Sequence, residues 1–267
     1  MKRLSNMPDR PWTRDEVFLT INLYCKLPYR KLRQSTPEVR ELALLLNRTP
    51  SAISKRCCNY VQFDPVESQR VKGFTRAAKL DKAIWEEINS DWNSFAIESE
   101  KIGQEIREKQ ITPLPRSEAV TFLEDMLFPA GFTKEQIVRV RIGQQFFREA
   151  VLTAYNRRCC VTGIAHDALL VASHIKPWKD SDPKTERANP RNGLCLSPLY
   201  DKAFDAGLMT IDDKYQINFS SLILRSTNEE AAAKFFHCYQ GKELTLPDRF
   251  TPEQHFFDHH RNHIFIP

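Results

Sequence analysis

The chain has no apolar run of about 18 residues, the shortest stretch that reads as a membrane-spanning helix. Its first residues, 1–9, lack the apolar core of a secretory signal peptide. No internal repeat or low-complexity tract is visible in the sequence. These absences argue against membrane, secreted and repeat proteins, and we expect a cytoplasmic protein with no membrane partner.

The cysteine pattern does not suit a disulfide framework. The chain has 7 cysteines, an odd number, and four of them form the adjacent pairs Cys57-Cys58 and Cys159-Cys160. Neighbouring cysteines rarely bridge each other, and no Cys-x-x-Cys spacing occurs anywhere. We therefore expect free thiols in a reducing compartment.

Size and composition allow two modest globular domains, but the charge is unevenly placed. The chain has 267 residues, of which 41% are hydrophobic and 27% charged. Residues 1–60 carry 12 Lys and Arg against 5 Asp and Glu, a net charge of +7, which leaves −2 for the remainder. This excess suits either contact with a polyanion or a solvated helix face, and charge alone does not decide between them.

The basic segment is expected to fold into helices over residues 12–62, because its apolar residues recur at helical spacing. Thr49 is a suitable N-cap and Pro50 a suitable first residue for a helix that carries Lys55 and Arg56. A helix, a short turn and a basic second helix resemble a helix-turn-helix or Myb-like unit, which implies DNA contact through Lys55 and Arg56. A structural or dimerising three-helix unit is the alternative.

Residues 160–207 hold the most informative pattern of the chain. An apolar strand ends at His174, a polar loop leads to Asn192 and a second strand, and a short helix follows from Pro198. Asp201 and Asp205 are four residues apart and therefore share one face of that helix. Paired carboxylates suit the hard cations Mg²⁺ and Mn²⁺ better than zinc.

Four short motifs in this stretch resemble the HNH (ββα-metal) endonuclease family, in a branch without zinc that is found in bacterial restriction and defence systems. They are Cys-x-Thr-Gly at 160–163, Ser-His-Ile-x-Pro-Trp at 173–178, Asn-Gly-Leu-x-Leu at 192–196 and Ala-Phe-Asp-x-Gly at 203–207. The resemblance implies that His174 is the general base and that Asn192 holds it in place. It also implies that Asp201 and Asp205 bind a single Mg²⁺ or Mn²⁺ ion.

Two departures from the family pattern matter. Many relatives place an aspartate or histidine directly before the base, where it binds the metal, whereas this chain has Ser173. Of the positions that form a four-cysteine zinc cage in other relatives, only Cys160 remains, so no structural zinc is expected. Three basic residues flank the expected cleft and are candidate phosphate ligands: Lys176, Lys179 and Arg191.

We thus expect an α+β protein with a mainly helical, helix-turn-helix-like N-terminal domain followed by a ββα-metal nuclease domain. The expected division is residues 1–110 for the helical, DNA-binding domain, 111–145 for a linker and connecting helix, and 146–267 for the nuclease domain with a helical tail. Within the last of these, residues 208–219 have the pattern of a β-hairpin.

The expected function is metal-dependent hydrolysis of double-stranded DNA in restriction or defence, leaving 5′-phosphate ends, and a homodimer would allow both strands to be cut. A DNA-binding regulator with a decayed motif and an RNA-directed nuclease are the alternatives. In the tail, His255, His259 and His263 recur every four residues, which suits a packing helix or a metal site.

Overall fold

The computed structural model describes residues 10–64, 67–70, 78–110, 133–226 and 228–267. Helices make up the N-terminal part, and two small antiparallel sheets with short helices make up the C-terminal part. The expected α+β fold class is confirmed. No helix in these ranges is long and apolar enough to cross a membrane.

The N-terminal helices begin where the sequence supplies capping residues. Thr13 and Glu16 form a reciprocal capping box at the start of the first helix, and the Thr49 side chain accepts a hydrogen bond from Ala52 N at 3.1 Å. The helices are α1 (Arg14–Lys26), α2 (Pro37–Leu45), α3 (Pro50–Asn59), α4 (Glu67–Arg70), α5 (Lys79–Ser90) and α6 (Trp92–Gln110). The turn 46–49 joins α2 to α3, as the helix-turn-helix pattern predicts.

The long helix α7 (Lys134–Ala154) connects the two parts of the chain. It packs against α1 and α6 on one side and against the first strands of the C-terminal part on the other. The boundary predicted at residue 146 falls inside this helix. Of the linker and connecting helix predicted for 111–145, residues 111–132 lie outside the described residues, and the division into domains stays a prediction.

Both parts of the chain contribute to one continuous hydrophobic core. Phe250 lies edge-on to Tyr24 and Trp92, and Phe95 meets Phe146 edge-on at 5.5 Å between ring centroids. The fully buried Arg249 donates hydrogen bonds to the carbonyl oxygens of Tyr24 and Leu27. These contacts fix the C-terminal segment to α1.

The C-terminal part begins with strands β1 (Val171–His174) and β2 (Gly193–Leu196), which pair antiparallel so that His174 is opposite Gly193. Helix α8 (Pro198–Asp205) follows β2 directly. The further strands and α-helices of the described residues are β3 (Met209–Ile211), β4 (Ile217–Phe219), α9 (Ser221–Ser226), α10 (Glu229–Ala232) and α11 (Gln254–His263). Strands β3 and β4 form the predicted hairpin.

Candidate active site

The β1–β2 hairpin and α7 together position His174. The Phe147 ring of α7 stacks on the imidazole with centroids 3.8 Å apart and planes 8° from parallel. A Cβ atom on Gly193 would lie 2.4 Å from Val151 Cγ2 and 2.9 Å from Phe147 Cζ. Only glycine, opposite His174 on β2, therefore lets α7 approach the hairpin closely enough for this stacking.

Hydrogen bonding fixes the tautomer of His174. Its Nε2 lies 3.0 Å from the carbonyl oxygen of Arg187, and because a carbonyl can only accept, Nε2 carries the proton. Nδ1 is therefore left with a lone pair. Burial lowers the pKa of His174 to about 4, although the Arg187 carbonyl opposes this shift. The imidazole is thus neutral near pH 7 and able to accept a proton at Nδ1.

Asn192 holds the two ends of the loop between the strands. Its side chain is completely buried. Oδ1 accepts a hydrogen bond from Lys176 N at 2.8 Å, and Nδ2 donates to Lys176 O and to Ser181 Oγ, both at 3.1 Å. Because Lys176 is two residues beyond His174, these contacts fix the backbone that follows the base.

Asp201 and Asp205 lie on the face of α8 that borders the same cleft. Burial raises the pKa of both carboxyl groups, and the charge of Asp201 raises that of Asp205 further. The Asp205 side chain is exposed, but the cleft walls remove part of its hydration shell, and this disfavours the charged carboxylate. Two carboxylates held in this way favour a positively charged partner.

The Ser173 hydroxyl adds a third oxygen to this group. Its Oγ is buried and makes no hydrogen bond of good geometry, yet it faces Asp201 closely enough to favour the charged carboxylate. A buried hydroxyl that makes no well-formed hydrogen bond, beside two carboxylates, fits a hard cation such as Mg²⁺ or Mn²⁺. Within the described ranges, no three His, Cys, Asp or Glu side chains form a preassembled metal cage. The protein thus offers two carboxylates and a hydroxyl, and substrate and water would complete the coordination.

The cleft that joins these groups has a volume of about 680 Å³. Four of the predicted residues line it: His174, Lys179, Asp201 and Asp205. Asn192 does not line the cleft and is buried.

Helix α11 forms the wall of the cleft beside α8. His260 is buried there and stacked on Phe204, its Nε2 donates to Phe204 O at 3.0 Å, and its Nδ1 accepts from Thr210 Oγ1 at 3.0 Å. Gly207, with a φ of +71°, ends α8 and lets the Ile264 carbonyl approach, where a Cβ would lie 2.1 Å from the oxygen. His260 therefore has a structural position that joins the tail to α8.

The three histidines singled out in the tail take different positions. His255 is exposed and does not line the cleft, and its Nδ1 lies 3.3 Å from Glu253 Oε2. His259 Nε2 lies 3.7 Å from Asp180 Oδ2, and His263 lines the cleft. The described structure does not gather the three into one metal site.

The two basic residues predicted on α3 lie in different surroundings. Lys55 is exposed. Arg56 is buried, forms an ion pair with Asp81 and lies 4.3 Å from the centroid of Trp12. Arg56 would have to break this ion pair to contact a phosphate, so its position favours a structural role.

The three basic residues predicted near the cleft differ in whether a carboxylate lies close to them. Lys176 Nζ lies 2.7 Å from Glu186 Oε2, and Arg191 Nη2 lies 3.8 Å from Asp64 Oδ2. Lys179 is exposed at the cleft. Of these three, Lys179 is placed best for contact with a substrate.

Two residues of the site were not anticipated from the sequence. Arg187 acts through its backbone carbonyl, which leaves no signal in the type of side chain. Phe147 is one of two adjacent phenylalanines on an amphipathic helix, and helical periodicity does not tell which of them meets His174.

Comparison with known proteins agrees with this geometry. Residues 159–212, which include β1, β2 and α8, match a family described as HNH endonuclease. This segment is therefore similar to HNH endonucleases. The similarity that the four sequence motifs indicate is thereby confirmed for the HNH segment.

One solved structure similar to this chain is a modification-dependent TagI restriction endonuclease, at 22% identity and a TM-score of 0.33. The alignment covers 44% of this chain and 37% of that one, so this chain spans little more than a third of its length. No curated protein shows significant sequence similarity to the chain.

Proposed function

We propose that this protein is a metal-dependent endonuclease that hydrolyses phosphodiester bonds in double-stranded DNA, in bacterial restriction or defence. The observation that carries the proposal is the joining, in one cleft, of a neutral His174, whose Nδ1 keeps its lone pair, and two carboxylates, Asp201 and Asp205, that form no ion pair within the described residues. A base and a cation site side by side are what hydrolysis of a phosphodiester requires.

In the proposed reaction, His174 Nδ1 takes a proton from a water molecule whose oxygen attacks phosphorus in line with the departing 3′-oxygen. A P–O bond to the water oxygen forms, the bond to the 3′-oxygen breaks, and solvent protonates that oxygen. The products are a 5′-phosphate and a 3′-hydroxyl. Arg187 and Asn192 keep the base oriented through the reaction.

A Mg²⁺ or Mn²⁺ ion would be held by Asp201 and Asp205, with Ser173 beside them. When bound, it would supply positive charge to offset the charge that develops on the phosphoryl group and the leaving oxygen. The raised pKa values of the two carboxyl groups support this assignment, because a bound cation reverses the cost of holding both groups charged.

The choice of DNA rests on the family of residues 159–212 and on the basic N-terminal segment with its α2–turn–α3 arrangement. Lys55 and Lys179 are the proposed phosphate contacts that are exposed. A homodimer would bring two copies of the site to the duplex, one for each strand.

A DNA-binding regulator with a decayed nuclease site is the second candidate, and Ser173 is the observation that favours it, since a serine is a weak metal ligand. An RNA-directed nuclease is the third candidate, because the cleft chemistry does not depend on the sugar.

The test is cleavage of supercoiled plasmid with Mg²⁺ or Mn²⁺, using unmodified and methylated DNA, with a structured RNA in parallel. We expect the wild type to cut DNA and His174→Ala to be inactive while still folded. His166→Ala is a matched control, because His166 is exposed and its side chain makes no hydrogen bond in the described structure. Its backbone carbonyl, which accepts from Leu169 N, is retained in alanine. Equal cutting by His174→Ala and wild type would refute the assignment of the base. DNA binding without cutting would favour the regulator.

A further inference from the structure

A second hollow, of about 300 Å³, lies directly beside the catalytic cleft. It forms where the first turn of α6, the first half of α7 and the loop 178–187 meet. Trp178 lines both hollows, and its ring lies edge-on to His174 with centroids 5.7 Å apart. A single aromatic side chain thus separates the second hollow from the base.

The second hollow is rich in cations without carboxylate partners. Arg139 and Lys184 are exposed, and the Arg187 guanidinium lies 5.1 Å from the Trp178 centroid. In the described part of the chain, none of these three cations forms an ion pair, whereas Lys176 and Arg191 nearby both do.

The carboxylate that lines the hollow is already engaged. Asp91 accepts hydrogen bonds from Ser94 N at 2.8 Å and Ser94 Oγ at 2.9 Å. The amides of Asn93 and Gln136 also line the hollow, beside the apolar side chains of Ile97, Val140 and Pro183. Three cations against one carboxylate leave the hollow with an excess of positive charge that suits anions, and its position beside the cleft favours phosphates.

The loop that carries two of these cations is held in place. Asn93 N donates to Lys184 O at 3.2 Å, which ties the loop to the start of α6. Asp182 Oδ1 accepts from Lys184 N at 2.9 Å, and Arg187 Nε donates to Ser181 O at 3.2 Å. The surface is therefore preformed, and binding there does not have to order the loop.

We propose that this hollow binds the backbone phosphates that flank the scissile phosphate on one side, so that the DNA strand crosses Trp178. The inference rests on the proposed function and adds a track for the substrate. A DNA strand carries a phosphate every ~3.4 Å of helix axis, so phosphates next to the one at His174 reach Trp178 and the cations beyond it. Arg187 then has two roles, because its carbonyl orients His174 while its guanidinium faces the strand.

The test compares the salt dependence of DNA binding in full-length variants. A short fluorescent DNA duplex is titrated without divalent ions, so that no cutting occurs, over a series of salt concentrations. The test variant is Arg139→Gln with Lys184→Gln. The control is Lys214→Gln with Lys242→Gln, which removes the same charge from exposed positions outside both hollows.

Each lost phosphate contact lowers the slope of log K against log salt by about 0.9, so we expect the test variant to be less steep than wild type by about 1.8. The control variant should keep the wild-type slope. Because all four residues are exposed, the melting temperatures should be the same, which shows that the slope does not report misfolding.

The plasmid assay on wild type separates the two proposals. Cutting by wild type with equal slopes in test and control variants would refute the strand path and leave the nuclease intact. A difference in slope without cutting would support the path and refute the nuclease. Absence of any DNA binding by wild type would overturn both.

Discussion

Substitution of Gly193 by alanine tests how closely the base depends on the packing of α7. The added Cβ would lie 2.4 Å from Val151 Cγ2 and 2.9 Å from Phe147 Cζ. Ordinary contacts begin near 3.4 Å, so Val151 would have to move by about 1 Å. Both side chains are almost fully buried and have little room to move. Overpacking of this kind costs about 1–3 kcal/mol.

For a chain of this size, the loss corresponds to a fall in melting temperature of about 2–4 °C per kcal/mol. The effect on activity should be larger, because the displaced Phe147 ring is the one stacked on His174. Phe147 Cζ, at 2.9 Å, would have to move by about 0.5 Å to reach an ordinary contact. A misplacement of about 1 Å at a reacting group costs roughly a hundredfold in rate, so half of that should still be measurable. We therefore expect kcat to fall well beyond the loss of folded protein, measured by calorimetry and plasmid cleavage on the same samples.

Gly103→Ala is the matched control. A Cβ on Gly103, within α6, would meet Leu19 Cδ2 at 3.4 Å, an ordinary contact, and alanine favours helix by about 1 kcal/mol. This variant should be as stable as wild type or more so. If Gly193→Ala kept both the wild-type melting temperature and the wild-type rate, the argument that α7 positions the base would be wrong.

Three further predictions concern metal, pH and the core. Mg²⁺ or Mn²⁺ should raise the melting temperature of wild type, and Asp205→Asn should abolish this rise. Without metal, Asp205→Asn should be more stable than wild type at neutral pH, because the raised pKa of Asp205 means that its charge destabilises the folded state. Burial lowers the pKa of His174 and of His260 to about 4, so below about pH 6.5 the unfolded chain binds more protons than the folded one. The free energy of unfolding should therefore fall as the pH is lowered from about 6.5 toward 4. In chemical denaturation at a series of pH values, His260→Gln should show a shallower fall than wild type, and an equally steep fall would contradict this. Arg249→Leu removes the hydrogen bonds that the buried guanidinium donates to Tyr24 O and Leu27 O. It should cost about 1.5–3 kcal/mol for each bond in chemical denaturation, so an unchanged midpoint would refute the role of Arg249.

The local elements of the site could be predicted from sequence, because short-range rules fix them. The Thr49 cap and Pro50 mark where α3 begins, Pro198 marks where α8 begins, and Gly207, with its positive φ, follows the end of α8. The four-residue spacing of Asp201 and Asp205 is enough to place both carboxylates on one face of α8.

The state of the charged side chains could not be predicted in the same way. Arg56 and Arg191 look like surface cations in the sequence, but Asp81 and Asp64 lie next to them in space. These partners are 25 or more residues away along the chain, and no local pattern predicts such a pairing. Only the tertiary structure therefore shows which basic residues are held in ion pairs and which are exposed and available to contact a substrate.

The sequence by itself determined the ββα segment and the places in it of His174, the proposed base, and of the two carboxylates, because each depends on residues that are neighbours in a strand, a turn or a helix. Tertiary structure alone decided what surrounds them: the Phe147 ring on the base, the Arg187 carbonyl that fixes its tautomer, and the α11 wall. The physical reason is that burial, tautomer and pKa arise from atoms brought together across the whole fold, and short-range spacing carries no information about them.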